Sequence, residues 1–237
     1  MRTNGIPAVR TERVWKVFEH DGIRVEAVRD VTFRVEPGEF VVLAGPSGSG
    51  KTTLLNLLGG LTRPTDGRVW VADTEITALP ERELARLRLE RLGFVFQAYN
   101  LLPVLTALEN AEFTLLLQDV PADERRSRVE ALFERIGIAG LEDRRPAKLS
   151  GGQQQRVAVA RAVVAGPALV LADEPTANLD TATSEALIDL MAELNRELGT
   201  TFVFATHDTR LMERAQRYVR LVDGAIVTDE RREGWRG

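Results

Sequence analysis

Eight consecutive residues near position 50 have types and spacing that could do chemistry. Gly45-Pro46-Ser47-Gly48-Ser49-Gly50-Lys51-Thr52 fits the pattern of a phosphate-binding loop. Glycines let backbone N–H groups approach phosphate oxygens, and a helix opening directly after them adds positive potential at its first turn. Lys51 would reach the outer phosphates, the Thr52 hydroxyl would ligate magnesium, and Thr53 joins the same nucleotide-binding set. The competing reading is an ordinary Gly/Ser turn, which a strand before the loop and a helix after it disfavour.

Two further clusters could act on the same phosphates. Asp173-Glu174 follows the apolar run 168–172, and the carboxyl end of a parallel strand is where such sheets bind ligands. Asp173 would orient magnesium or its water shell, and Glu174 would polarise an attacking water. Alone, the pair could equally be a solvated loop. Leu149-Ser150-Gly151-Gly152-Gln153 opens a second helix and could present N–H groups to phosphate, although such a stretch is more often only a helix cap. Two phosphate-binding helix ends but one lysine-bearing loop imply that the second end serves a nucleotide held by another copy.

These residues need elements to position them. Phe40-Val41-Val42-Leu43-Ala44 is a continuous apolar run, as in a parallel strand buried on both faces, and residues 52–58 read as the helix after the loop. Residues 168–172 and 201–205 read as two more buried strands. Residues 9–35 read as antiparallel strands turning at Asp21-Gly22, and 218–227 as a hairpin closed by Asp223-Gly224. Residues 81–92 predict a surface helix and 93–96 a short strand. Within 123–136, Val129, Leu132, Phe133 and Ile136 fall at helical spacing. The section 99–150 reads as a helical lobe inserted into an α/β core. Residues 153–165 predict a helix, and 183–198 an amphipathic one with Leu187, Leu190, Met191, Leu194 and Leu198 on one stripe. Alternating strands and helices predict a mainly parallel sheet.

Composition narrows the classes. The 237 residues carry a net charge of -4, which gives no support for a nucleic-acid partner. There are no cysteines, so disulfides and thiolate metal sites are excluded, and His20 and His207 are the only histidines. His20 reads as a surface residue without a role. Residues 1–10 lack a secretory signal, the longest apolar stretch is too short and too interrupted to span a bilayer, and 231–237 reads as a loose tail.

In order and spacing, the loop 45–52, Gln97, the stretch 149–153, Asp173-Glu174, Asn178-Leu179-Asp180 and His207 resemble the motifs of the ATP-binding-cassette (ABC) ATPases. The resemblance covers about residues 9–229, and the Leu149–Gln153 signature is what distinguishes this superfamily. It implies a P-loop NTPase of ABC type, an α/β protein with a mainly parallel core sheet, an antiparallel β subdomain and an inserted α-helical subdomain. Residues 1–237 would form a single nucleotide-binding domain, its core at 9–98 and 151–229 and its helical subdomain at 99–150. ATP and Mg2+ are the implied cofactors.

The resemblance also implies roles by position. Lys51, Glu174, His207 and Gln97 would form the catalytic set, with Thr52, Gln97 and Asp173 around the metal. Gln97 resembles the glutamine that touches magnesium and senses the membrane partner, and His207 resembles the switch histidine at the γ-phosphate. Asp180 resembles the residue that communicates across the dimer. Phe18 takes the place of an aromatic that stacks on adenine, often tyrosine, and Trp15 is a second candidate. Ser150, Gly151, Gly152 and Gln153 would complete the nucleotide site of a second subunit, giving a homodimer. A separate membrane permease is the implied partner, with the chain peripheral on the cytoplasmic face of the cell membrane.

A finer resemblance is to the branch that powers lipoprotein release, macrolide-type export and the cell-division ATPase-permease pair. Asn100-Leu101-Leu102-Pro103, Thr106-Ala107-Leu108-Glu109-Asn110 and Ala172-Asp173-Glu174-Pro175-Thr176 carry it, with Ala177 where that branch often has glycine. The alternative is a mechanochemical ATPase that regulates cell-envelope enzymes through a permease-like partner. ABC factors of DNA repair carry a long coiled-coil insertion, but only 52 residues separate Gln97 from Ser150. Translation factors carry two cassettes, and this chain has one.

Overall fold

The computed structural model describes residues 5–20 and 22–232. A six-stranded sheet runs in the order β10-β9-β3-β8-β7-β6, with β3 Phe40–Ala44, β6 Leu92–Phe96, β7 Leu169–Asp173, β8 Phe202–Ala205, β9 Arg217–Val222 and β10 Ala225–Arg231. β6, β7, β8, β3 and β9 pair in parallel, and β10 closes the edge as the antiparallel arm of the Asp223-Gly224 hairpin. A second, antiparallel sheet runs β2-β1-β4-β5, from β1 Val9–His20, β2 Ile23–Val35, β4 Asp66–Val71 and β5 Thr74–Glu75. Asp21, the first residue of the turn expected there, and the side chain of His20 lie outside the described residues.

The central strands are buried on both faces, as their unbroken apolar sequences require. Side chains alternate across the pleat, so Phe40, Val42 and Ala44 of β3 join one core and Val41 and Leu43 the other. The first core lies under α3 (Ala107–Leu117), α4 (Ala122–Arg135), α5 (Gly151–Val163) and α6 (Thr181–Leu198). The second lies between the parallel sheet, the antiparallel sheet, α1 (Lys51–Leu58) and α2 (Glu81–Arg91). In α4, Val129, Leu132 and Phe133 are buried, and Ile136 follows at the cap.

The expected fold class is what the structure shows, with differences at element ends. On α6, Leu187, Leu190, Met191 and Leu194 are buried, but Leu198, the last helical residue before the left-handed cap at Gly199, is 51% exposed. β10 extends through Arg231, and Arg232 is tied by its N–H to the Gln216 carbonyl. The loose tail read from the sequence therefore does not begin at 231, and residues 233–237 lie outside the described residues.

Candidate functional site

Parallel strands bring their carboxyl ends to one edge. β3 delivers the loop 45–50, β8 delivers Thr206 and His207, β7 delivers Asp173 and Glu174, and β6 delivers Gln97. A cavity of about 800 Å³ opens there, lined by residues 45–53, Gln97, Glu174, Ala177 and His207. Its opposite wall comes from β2 and from the β9–β10 turn, through Val25, Ala27, Arg29 and Asp223.

The loop is held by its glycines and by the turn beneath it. Gly45 and Gly50 have φ of 150° and 97°, and any side chain there would run into the Leu221 and Ala27 carbonyls. The Gly224 N–H donates to the Ser49 carbonyl at 3.1 Å, so the β9–β10 turn braces the loop. Lys51 is buried, and its Nζ donates to the Gly45 and Pro46 carbonyls at 2.9 and 3.0 Å. No side chain caps α1 and no acidic residue stands in its first turn, so its leading N–H groups face the cavity without an internal competitor. Ser49 is 2% exposed, and its hydroxyl is buried with no hydrogen-bond partner among the described residues.

The acidic pair is set against this loop. The Thr52 hydroxyl donates to Asp173 Oδ1 at 3.0 Å. Burial pushes the Asp173 carboxyl above its ordinary range, and Glu174 adds to the effect, against the opposing Thr52 hydrogen bond and Lys51 charge. A hydroxyl and a carboxylate side by side are oxygen donors of the kind magnesium takes, and magnesium completes its shell with water and phosphate oxygens. These residues therefore fit the metal.

Glu174 sits at φ 46°, a left-handed conformation that costs a non-glycine residue about 1–3 kcal/mol. The sheet enforces it: the Glu174 N–H donates to the Ala205 carbonyl at 2.8 Å, and the Thr206 hydroxyl donates to Oε2 at 2.9 Å. His207 Nδ1 lies 2.8 Å from Oε1, the geometry of an Nδ1–H donating to the carboxylate. Glu174 and His207 thus form a hydrogen-bonded pair on the cavity wall.

Gln97 is linked sideways. Its Nε2 donates to Asn178 Oδ1 at 3.4 Å, and Asn178 Nδ2 donates back to the Gln97 carbonyl at 3.0 Å. Asp180 caps α6, accepting from the Thr183 N–H at 2.9 Å and the Thr183 hydroxyl at 2.6 Å, and these bonds hold its carboxyl below the ordinary range. Neither Asp180 nor the signature residues line this cavity. Ser150 and Gln153 close a reciprocal capping box at the start of α5. Gly151 lies under the Tyr99 hydroxyl, and Gly152 lies against the Thr183 methyl so closely that a side chain would displace it.

Phe18 is 44% exposed and stands opposite Val25 across the β1–β2 pair, so the two share a face and Phe18 flanks the cavity without lining it. Trp15 lines a separate polar hollow with Glu12, Arg13, Asp30 and Asp66. Ala177 does not have a positive φ, so its methyl replaces a glycine hydrogen without backbone strain. Sequence reasoning missed Thr206 and Asp208. The latter accepts from the Thr176 hydroxyl at 2.8 Å and is bridged by Arg210, ties that outweigh its burial and hold its carboxyl low.

A family model described as "ABC transporter" matches residues 28–177, which include the loop, Gln97, the signature and the acidic pair. The chain belongs to the ABC transporter family. An uncharacterised ABC transporter ATP-binding protein of Thermotoga maritima is 48% identical over 92% of this chain and 93% of its own length. The lipoprotein-releasing system ATP-binding protein LolD of Pseudomonas fluorescens is 46% identical over 90% of this chain and 93% of its own. The macrolide export ATP-binding/permease protein MacB of Brucella melitensis is 42% identical over 95% of this chain, which spans only 35% of that longer protein. Among solved structures, the ATP-binding cassette MJ0796, a dimer in a post-hydrolysis state bound to ADP and Pi, superposes with a TM-score of 0.87 at 39% identity over 97% of this chain. This ABC chain is an ATP-binding cassette with ATPase function. Among the described residues no helix is long and apolar enough to cross a membrane.

Proposed function

We propose that this cassette powers a transporter of the lipoprotein-release or macrolide-export type, two copies closing on ATP to drive a separate membrane permease. The observation that carries the catalytic part is the Glu174 carboxylate, fixed by Thr206 and His207 on the wall that faces Lys51. The likeness to LolD and MacB supports the transport part, and the likeness to a dimeric cassette supports the pairing. The chain would then sit peripherally on the cytoplasmic face of the membrane, with the permease as its anchor.

ATP binds with its phosphates in the loop 45–50. The open N–H groups of α1 and the Lys51 ammonium offset their charge. Magnesium, held by Thr52 and Asp173 with Gln97 nearby, would neutralise charge on the outer phosphates. Glu174 accepts the proton of the attacking water. His207, tied through Nδ1 to that carboxylate, keeps it aimed and borders the space for the γ-phosphate. Phe18 offers a ring face to the adenine from the rim. The end of α5, with Ser150, Gly151, Gly152 and Gln153, is outside this cavity in its own chain and would close the site of the partner copy, beside Asp180.

The test is phosphate release by wild type and Glu174→Gln with ATP and magnesium. Removing a general base costs about 10²- to 10⁴-fold in rate, while ATP affinity stays within a few-fold. Wild-type phosphate release by the variant would overturn the assignment.

A further inference from the structure

Asp223 and Gly224 both have positive φ, 48° and 79°, as the central pair of a tight hairpin turn requires. The ladder of that hairpin begins outside them, at Val222 and Ala225, so the Gly224 N–H and C=O can bond elsewhere. Both do so. The N–H donates to the Ser49 carbonyl at 3.1 Å, and the carbonyl accepts from the Arg29 N–H of β2 at 2.8 Å. One residue therefore joins the loop 45–50 of the core to the antiparallel sheet. The joint leaves no room for a side chain. A Cβ on Gly224 would stand 3.0 Å from the Ala27 and Glu26 carbonyl oxygens, and one on Gly50 would meet the Ala27 carbonyl and the Gly224 Cα.

The bond to Ser49 sets a direction. A trans peptide is planar, so its C=O and N–H point opposite ways. Pinning the Ser49 carbonyl on the turn therefore aims the Gly50 N–H away from the turn, and that N–H has no hydrogen-bond partner among the described residues. Gly50 has φ 97° and no Cβ to restrict it, so an outside contact must fix its orientation.

The other end of the hairpin is fixed by charge. Arg217 is buried at the start of β9 and donates through Nε and Nη2 to Asp229 of β10 at 2.7 and 2.6 Å. Its Nη1 donates to Glu39 at 3.1 Å and to the Arg34 carbonyl of β2 at 2.6 Å. The guanidinium lies 5.1 Å from the centroid of the Phe33 ring. Buried Glu39 also pairs with Arg231 of β10 at 2.6 Å. Breaking one partner out of such a buried cluster is strongly destabilising. The hairpin is thus held at both ends of β9, about 17 Å apart at the usual rise of a strand.

We infer that Gly224 is a positioning residue for the loop 45–50 and that the ion cluster around Arg217 anchors it, so that the hairpin presets the Gly50 N–H for phosphate before ATP arrives. The inference rests on the reading of residues 45–52 as the phosphate site. Without the clamp the loop must be ordered on binding, which weakens affinity. The loss falls on binding alone, because the saturated enzyme has its loop in place again.

The experiment measures ATP affinity by titration calorimetry, and kcat and KM with ATP and magnesium, on the full chain well below the thermal midpoint of each variant. Gly224→Ala should raise Kd and KM about five- to tenfold, the scale of one lost hydrogen bond, with kcat changed less than twofold. Arg217→Met should raise both about threefold. Arg217→Lys keeps the charge without the two-pronged fork and should fall between Arg217→Met and wild type. Leu187→Ala loosens the other core and is the stability control: its thermal midpoint should fall while its affinity stays at the wild-type value. A kcat loss at unchanged KM in Gly224→Ala, or an equal loss of affinity in Leu187→Ala, would overturn the inference. So would wild-type affinity in Gly224→Ala beside a weakened Lys51→Ala. Wild-type affinity in Arg217→Met would overturn the anchor, and the whole inference should Gly224→Ala fail to fold. If Lys51→Ala itself binds ATP as wild type does, the phosphate-site reading fails and the inference with it.

Discussion

At the scale of single residues, Lys51 is the proposed principal cation for the outer phosphates. Its ammonium is presently satisfied by two carbonyls of its own loop, which hold it where phosphate would arrive. Lys51→Ala should weaken ATP binding by about 10- to 100-fold, the range for losing a charge-assisted hydrogen bond, measured by titration calorimetry. Equal affinity for variant and wild type would contradict the assignment. Asp173 adds a pH dependence whose sign follows from its environment. Its carboxyl is pushed up by burial, so as pH falls it takes up a proton earlier than an ordinary aspartate and loses its capacity to bind a cation. Magnesium titrations of the ATPase rate should show the requirement rising as the medium becomes acidic, and Asp173→Asn should raise it at every pH and flatten that dependence. A magnesium requirement independent of both would remove Asp173 from the metal site. Lys51, Glu174 and the signature were legible because their types and order are rare outside one kind of site. Thr206 was not, since a threonine after a strand has no distinctive spacing; only the fold shows its hydroxyl on Glu174. Phe18 was readable as an aromatic near the site, but its place at the rim was not.

At the scale of elements, strands buried on both faces announced themselves as unbroken apolar runs, and α4 and α6 by their stripes. β4, β5 and α3 were not read. β4 and β5 are short and belong to an antiparallel sheet with one wet face, and α3 scatters Glu109, Asn110, Glu112 and Thr114 among its apolar residues, so none of the three carries a clear period. The packing of α6 gives a stability prediction. Leu187 is 1% exposed in the larger core, and Leu187→Ala should cost about 2–5 kcal/mol, seen as a lower urea midpoint; an unchanged midpoint would mean that α6 does not carry the core. The stretch Tyr99 to Leu105 divides because it turns, with Tyr99 and Asn100 at positive φ and the Leu105 N–H donating to the Leu102 carbonyl at 3.1 Å. Leu101 packs on the core, while Leu102 and Val104 point outward, Val104 at 71% exposure. We propose that these two exposed side chains take a cytoplasmic segment of the permease. Val104→Asp should leave ATP binding intact and abolish co-purification of a membrane protein from detergent extracts. Retention of that protein with a stimulated ATPase rate would move the docking surface elsewhere.

At the scale of the whole molecule, one chain contains a phosphate loop and a signature that do not meet. The cavity holds Lys51, Glu174, His207 and Gln97, whereas Ser150 and Gly152 stand at the exposed start of α5. The sequence already posed this question by having two phosphate-binding helix ends and one lysine-bearing loop. A head-to-tail pair answers it, and mixing Ser150→Arg with Lys51→Ala chains examines it: each mixed pair holds one intact composite site, so partial ATPase activity should return, and its complete absence would mean that one intact site is not enough or that the sites are not shared. The most direct measurement is the size of the Glu174→Gln chain in solution with ATP and magnesium, where binding is preserved and hydrolysis is not. A shift from monomer to dimer on addition of ATP is expected, reversed by Ser150→Arg in the same chain. A profile that stays monomeric at high protein and ATP concentration would contradict it.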